Sequence, residues 1–245
     1  MRNRIAALLI AFFGFAAPAA AQTVRYNQTN FNAGLSSAPG VASLQVLTLT
    51  GTGREALSQL VVAAVQASNT PAQTVYGAFT FYGNVDPTRN SADALFGATN
   101  LGSFSRAITV TAAGASPVFR QAAFSNLDTA LPMQIVLPAG TQVGYSYALY
   151  ADAGLTTRST VFSDAFGNTN TLVGTTNGNA YIDSGNDGLF AAADQSTTGQ
   201  RTFVRISTVA AAPAAPEPAA WGLLILGFGA VGGLSRTRRR ARVLA

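Results

Sequence analysis

Two carboxylates and an amide oxygen fall close together in Asp183-Ser184-Gly185-Asn186-Asp187-Gly188, spaced by glycines that let a loop fold back on itself. Oxygen donors in that layout suit a hard cation such as Ca²⁺. The same residue types build any tight turn, so no bound metal is expected, and Asp183, Asn186 and Asp187 are the candidate ligands should one bind. Little else in the chain can do chemistry. It has no cysteine and no histidine, and all 15 basic residues are arginine. Ser-His-Asp and Cys-His triads, the common zinc sites, Schiff-base lysines and disulfide staples are thereby excluded. Glycoside hydrolysis needs two acids facing each other across a cleft. Glu55 is the one glutamate ahead of the C-terminal tail, and Asp86, Asp152, Asp183 and Asp187 stand among turn formers. No catalytic residue and no cofactor are expected. Tyr76, Tyr82, Tyr145 and Tyr150 sit in strand-like runs and offer planar faces for stacking on sugars, although tyrosine at such spacing is ordinarily half-buried with its hydroxyl in water.

Short apolar runs recur about every ten residues and must position these side chains. Candidate strands cover 41–50, 57–67, 74–82, 101–111, 118–124, 133–137, 142–150 and 202–208. Val75, Gly77, Phe79 and Phe81 alternate with Tyr76, Ala78, Thr80 and Tyr82, and Tyr145, Tyr147 and Leu149 alternate with Ser146, Ala148 and Tyr150, which is the period of a strand. Turn formers separate the runs at 84–87, 114–117, 138–140 and 185–188. Many strands without alternating helices predict an all-β, antiparallel sandwich or jelly roll. The stretch 54–67 reads two ways. Thr52-Gly53-Arg54-Glu55 fits a helix capping box and Leu57, Leu60, Val61, Ala64 and Val65 fit helical spacing, yet the valines and the surrounding pattern favour a strand. Asn168, Asn170, Asn177 and Asn179, interleaved with Thr and Gly, read as a long polar loop before Tyr181.

The two ends differ in kind from the middle. Arg2 and Arg4 precede 13 apolar or glycine residues at 5–17, and Ala19-Ala20-Ala21 offers a small-x-small cleavage site before Gln22, the pattern of a signal peptide over 1–21. An ectodomain over 22–208 follows, then an Ala/Pro linker at 209–215 that is semi-extended. At 216–245 come Pro216-Glu217-Pro218, Trp221, and Arg236, Arg238, Arg239, Arg240 and Arg242. The prolines keep their segment extended, and an indole prefers the membrane interface. The 17 residues 219–235 carry no charge, and as helix they reach about 25 Å against a hydrocarbon core of about 30 Å. The arginines that follow stay cytoplasmic and stop transfer. The whole chain is +5. Residues 22–215 hold eight arginines against eight aspartates and one glutamate, a net of −1, so the basic character belongs to targeting and no nucleic-acid partner is expected.

The order Pro-Glu-Pro, tryptophan, short Gly-rich apolar stretch and arginine cluster resembles the PEP-CTERM sorting signal of Gram-negative bacteria, in the form common in alphaproteobacteria. The resemblance covers about thirty residues and implies recognition of Pro216, Glu217 and Pro218 by an exosortase, a membrane transpeptidase. It further implies export through the inner membrane, a transiently membrane-anchored precursor, and a final place at the cell surface or in the extracellular, exopolysaccharide-associated matrix. Residues 57–150 also loosely resemble the β-sandwich ectodomains often placed ahead of this signal, through Phe79-Thr80-Phe81-Tyr82, Leu101-Gly102-Ser103-Phe104 and Leu137-Pro138-Ala139-Gly140-Thr141. The expected role is structural or interactive and non-enzymatic. A carbohydrate-binding module at the surface, with extracellular polysaccharide as partner, is the alternative, and a carboxylate-based glycoside hydrolase is the least favoured reading.

Overall fold

The computed structural model describes residues 21–29, 35–36, 39–85, 95, 97–167, 172–183, 190, 196–198 and 201–211. The signal segment up to Ala20, Asn186, Asp187 and the whole of 212–245, sorting motif included, lie outside the described residues; Ala21 and Gln22 are described and exposed. In chain order the elements are β1 (Thr23–Gln28), β2 (Leu35–Ser36), β3 (Ala42–Thr48), β4 (Gly53–Gln66), β5 (Gln73–Gly83), β6 (Thr99–Val110) and β7 (Val118–Phe124). A single helical turn α1 (Leu127–Ala130) precedes β8 (Val136–Ala139), β9 (Gln142–Tyr150), β10 (Phe162–Gly167), β11 (Thr175–Asp183), β12 (Ser196–Thr198), β13 (Arg201–Thr202) and β14 (Val204–Ala210). The protein is all-β, with two antiparallel sheets stacked in a sandwich-like arrangement.

One sheet runs β1-β14-β4-β10-β13, with β2 on β10 and β7 and β8 on β4, and the other runs β12-β11-β3-β9-β5-β6. The chain crosses repeatedly between them, since β3, β5, β6 and β9 belong to the second sheet while β4, β7, β8 and β10 belong to the first. Between the sheets lies one large core in which Phe79, Phe81, Tyr145 and Tyr147 face Leu57, Leu60, Val62 and Ile206. The alternation expected of β5 is met: Val75, Phe79 and Phe81 are buried while Tyr76, Thr80 and Tyr82 are half-buried. β9 departs from it, because Val143 through Leu149 are buried on both faces. A second, smaller cluster of Leu44, Val46, Val85, Tyr181 and Phe190 covers its outer side.

The segment with two readings is a strand, and its helical spacing has a local cause. Along β4, Gln59 pairs with Ser207 and Leu57 with Thr208, so Ser58 is the extra residue of a β-bulge. The bulge shifts the phase of alternation by one, and Leu57 and Leu60, three apart, both enter the core between the sheets. Beyond it the period of two resumes, with Val62 and Ala64 in that core and Val61 and Ala63 in a separate cluster with Ala165 and Phe203 on the opposite face. Glu55 caps no helix. Its carboxylate accepts from Arg25 and from the Thr208 hydroxyl, tying β1, β4 and β14 together.

Several strand limits differ from expectation. Residues 133–135 precede β8 rather than belonging to it. Gly140 turns the chain from β8 into β9 with φ of 77°, where a Cβ would meet the Gly51 carbonyl oxygen at 2.8 Å. Asn177 and Asn179 belong to β11, not to a loop, while Asn168 and Asn170 lie outside the described residues. β1, β10 and β11 were not among the expected strands. The Thr, Asn and Gly of β11 read as loop and β1 and β10 lack clean apolar alternation, and pairing with β3, β14 and β4 makes each a strand.

Candidate functional site

Tyr82, Tyr150 and Asp183 arise on separate strands, and register brings them to one cavity. Across β5 and β9, Tyr76 lies opposite Tyr150, Ala78 opposite Ala148, Thr80 opposite Ser146, and Tyr82 opposite Gly144. On the far side of β9, Ala42 pairs with Ala148, and Asp183 pairs with Ala42. The outer face of the six-stranded sheet therefore has a floor of small residues, with Tyr150 toward one end and Tyr82 toward the other. Gly144 permits the Tyr82 end to close, because a Cβ there would sit 2.8 Å from Val85 Cγ2 and 3.2 Å from Tyr82 Cβ.

Arg158 is the residue that sequence reasoning missed. After β9 the chain makes a short loop organised by Asp152, whose carboxylate accepts from the backbone amides of Thr156 and Thr157 and from the Thr156 hydroxyl. Those amides hold its pKa below the usual range, the Thr157 amide most of all. The loop closes on itself through Ala151 N–H to Thr157 O at 2.9 Å, and Arg158 returns as an isolated β-bridge partner of Tyr150. Its guanidinium then lies over the Tyr150 ring, 4.7 Å from the centroid. Arg158 Nη2 is 3.7 Å from Asp183 Oδ2, and the Asp183 side chain is fully buried. Arg158 Nη1 is buried without a hydrogen-bond partner among the described residues.

These groups, with Thr80, Ser146 and Phe190, line a cavity of about 180 Å³. It combines aromatic edges, the aliphatic hydroxyls of Thr80 and Ser146, and a donor and an acceptor of opposite charge side by side. That set complements a ligand with apolar ring faces and several hydroxyl groups better than it complements a cation. Asp183 is the last residue of β11 rather than a turn residue, and the charge facing it is a guanidinium, which opposes a second cation there. Among the described residues no three His, Cys, Asp or Glu side chains gather as a metal site. Tyr145, one of the four candidate stacking faces, is instead fully buried between the sheets, where burial raises its hydroxyl pKa well above the ordinary value. Tyr76 is half-buried beside the site.

Beneath this face a second polar group is sealed in the core. Asp164 of β10 accepts from the Ser43 hydroxyl, and burial raises its pKa from 3.8 to about 6 against that bond, its hydrogen bond with the Tyr147 side chain and the charge of Arg158. A carboxyl so raised fits a general acid, yet its burial between the sheets leaves it no substrate access. The carboxylate of Glu55 is held below its usual range, chiefly by the hydrogen bond from Arg25.

No family model, no curated protein and no solved structure matches this chain. No helix among the described residues is long and apolar enough to cross a membrane; the stretch 219–235 falls outside them.

Proposed function

We propose that this is an exported surface or extracellular-matrix protein, sorted by an exosortase-type membrane transpeptidase and working by interaction rather than catalysis. The observation that carries the reading is the order of Pro216-Glu217-Pro218, Trp221, an uncharged stretch through 235, and the cluster Arg236, Arg238, Arg239, Arg240 and Arg242. Residues 1–21 act as a signal-peptide helix removed after Ala21, and 22–208 form a jelly-roll-like ectodomain. The linker 209–215 holds that domain off the membrane, and 219–235 form a short transmembrane helix that presents the motif for cutting. The interaction role is supported by four of the five carboxylates among the described residues, since Glu55, Asp152, Asp164 and Asp183 are each engaged by a partner or sealed in the core.

A second reading, carbohydrate binding at the surface, is favoured by the meeting of Tyr82, Tyr150, Arg158 and Asp183 around one cavity. Extracellular polysaccharide is the partner with suitable chemistry. Slower migration in gels containing the producing cell's own polysaccharide, abolished by Tyr150→Ala, is its expected signature; equal migration of both proteins contradicts it.

Fractionation tests the sorting reading. Glu217→Ala is expected to accumulate as uncut precursor in membranes. Replacing Arg238, Arg239 and Arg240 by alanine weakens stop-transfer instead, because so short a span depends on its flanking charge, and the chain then loses orientation or is degraded. Normal processing of the Glu217→Ala chain contradicts a role for the motif.

A further inference from the structure

The two sheets part along one side, between the edge strand β6 and β7. At one end of that side Phe124 of β7 bridges them, its ring centroid 5.2 Å from Phe79 and 6.3 Å from Phe104. Two residues further along β7 stands Ala122, too small to bridge, and there a cavity of about 240 Å³ opens. Val62, Val75, Ile108, Leu149 and Phe162 form its walls together with Ala122. Tyr147 also borders it, but its hydroxyl is turned to the Ala63 carbonyl at 3.2 Å, so its only polar atom is already engaged elsewhere. An apolar cavity of about 150 Å³ already stays dry and takes a benzene-sized guest.

The rim is polar and carries one charge. Arg120 is held there by Nε–H donating to Gln66 Oε1 at 2.7 Å, and by Nη2 donating to the carbonyls of Thr111 at 3.0 Å and Ala112 at 3.2 Å. Gln66 is itself fully buried and fixed by its amide donating to Thr70 Oγ1 at 2.8 Å and Thr111 O at 3.1 Å. The guanidinium is thus positioned before any ligand arrives. Among the described residues no hydrogen bond engages its Nη1 and no carboxylate pairs with it.

We infer that this cleft binds a medium-chain alkyl carboxylate, with about six to ten carbons between the sheets and the carboxylate on Nη1 of Arg120. Burial supplies the chain's affinity and the rim charge selects the head group. The inference stands independently of the sorting reading. Calorimetric titration of the purified full-length chain with hexanoate, octanoate, decanoate and octanol tests it. Affinity is expected to rise about fourfold per methylene from hexanoate to octanoate. Arg120→Gln is expected to bind octanoate at least tenfold more weakly while binding octanol as the wild type does, and Arg120→Lys to keep the preference for carboxylate. Ala122→Phe is expected to lose both ligands with its melting transition intact. No saturable octanoate binding at millimolar concentration, no dependence on chain length, or undiminished octanoate binding by Arg120→Gln overturns the inference. The chain-length series needs only the wild type, so a variant that fails to fold leaves the test in force.

Discussion

Asp164 carries the clearest electrostatic consequence of the fold. Its carboxyl titrates near 3.8 when free and near 6 in place, because burial disfavours the charged form more than Ser43, Tyr147 and Arg158 favour it. Between those values the folded chain holds a proton that the unfolded chain has released. The contribution of Asp164 is therefore fully present below about pH 4 and is lost as pH rises through about 6. Two pKa units correspond to about 3 kcal/mol. Glu55 and Asp152, whose values are lowered, act in the opposite sense and lose stability as pH falls. Comparison with Asp164→Asn cancels them. In urea unfolding at pH 4 and pH 7.5, the stability of the wild type relative to the variant is expected to fall by about 2 kcal/mol from the lower pH to the higher, since part of the effect is already lost at pH 4; an unchanged difference contradicts the burial argument. At this scale the sequence was only partly legible. Tyr82, Tyr150 and Asp183 stand out as residue types, whereas Arg158 joins them only through the loop folded by Asp152, and nothing in a run of Thr, Arg and Ser announces that bridge.

β4 is the spine of the larger sheet, and its bulge explains why its sequence suggests a helix. Ser58 is the unpaired residue, its hydroxyl donating to Ser207 O at 3.0 Å. Leu57 and Leu60 consequently share one core, although an unbroken strand places residues three apart on opposite faces. Leu57→Ala and Leu60→Ala are each expected to cost about 2–5 kcal/mol in chemical denaturation, and Gln59→Ala less than about 0.5 kcal/mol. A cheap Leu57→Ala beside a costly Leu60→Ala would speak against the bulge. Element boundaries were legible where alternation is clean, as in β5, β6 and β7. They were illegible where a strand is buried by its neighbours rather than by its own pattern. Thr175–Asp183 reads Thr-Thr-Asn-Gly-Asn, turn chemistry by composition, and is held as a strand by β3 on one side and β12 on the other. Phe162–Gly167 places an aspartate in the interior, which no strand pattern anticipates.

At the scale of the whole molecule, charge separates two jobs. Residues 22–215 are nearly neutral at −1, while the ends hold the arginines that the proposed sorting reading assigns to targeting. Without cysteine the domain has no disulfide and must rely on its own core, and the sandwich supplies one in which aromatic and aliphatic side chains of both sheets interlock. The all-β class was legible from the density of short alternating runs, and the division of those runs between two sheets was not, because pairing is settled by register between distant segments. Cutting of the chain at both ends on its way out is the central proposal. Intact-mass measurement of the protein recovered from the cell surface or matrix tests this most directly. The expected species begins at Gln22 and ends at or near Pro216 to Pro218, without the arginine cluster, plus the mass of any attached group. A recovered protein whose mass and terminal peptides extend through Arg242 to Ala245 contradicts it.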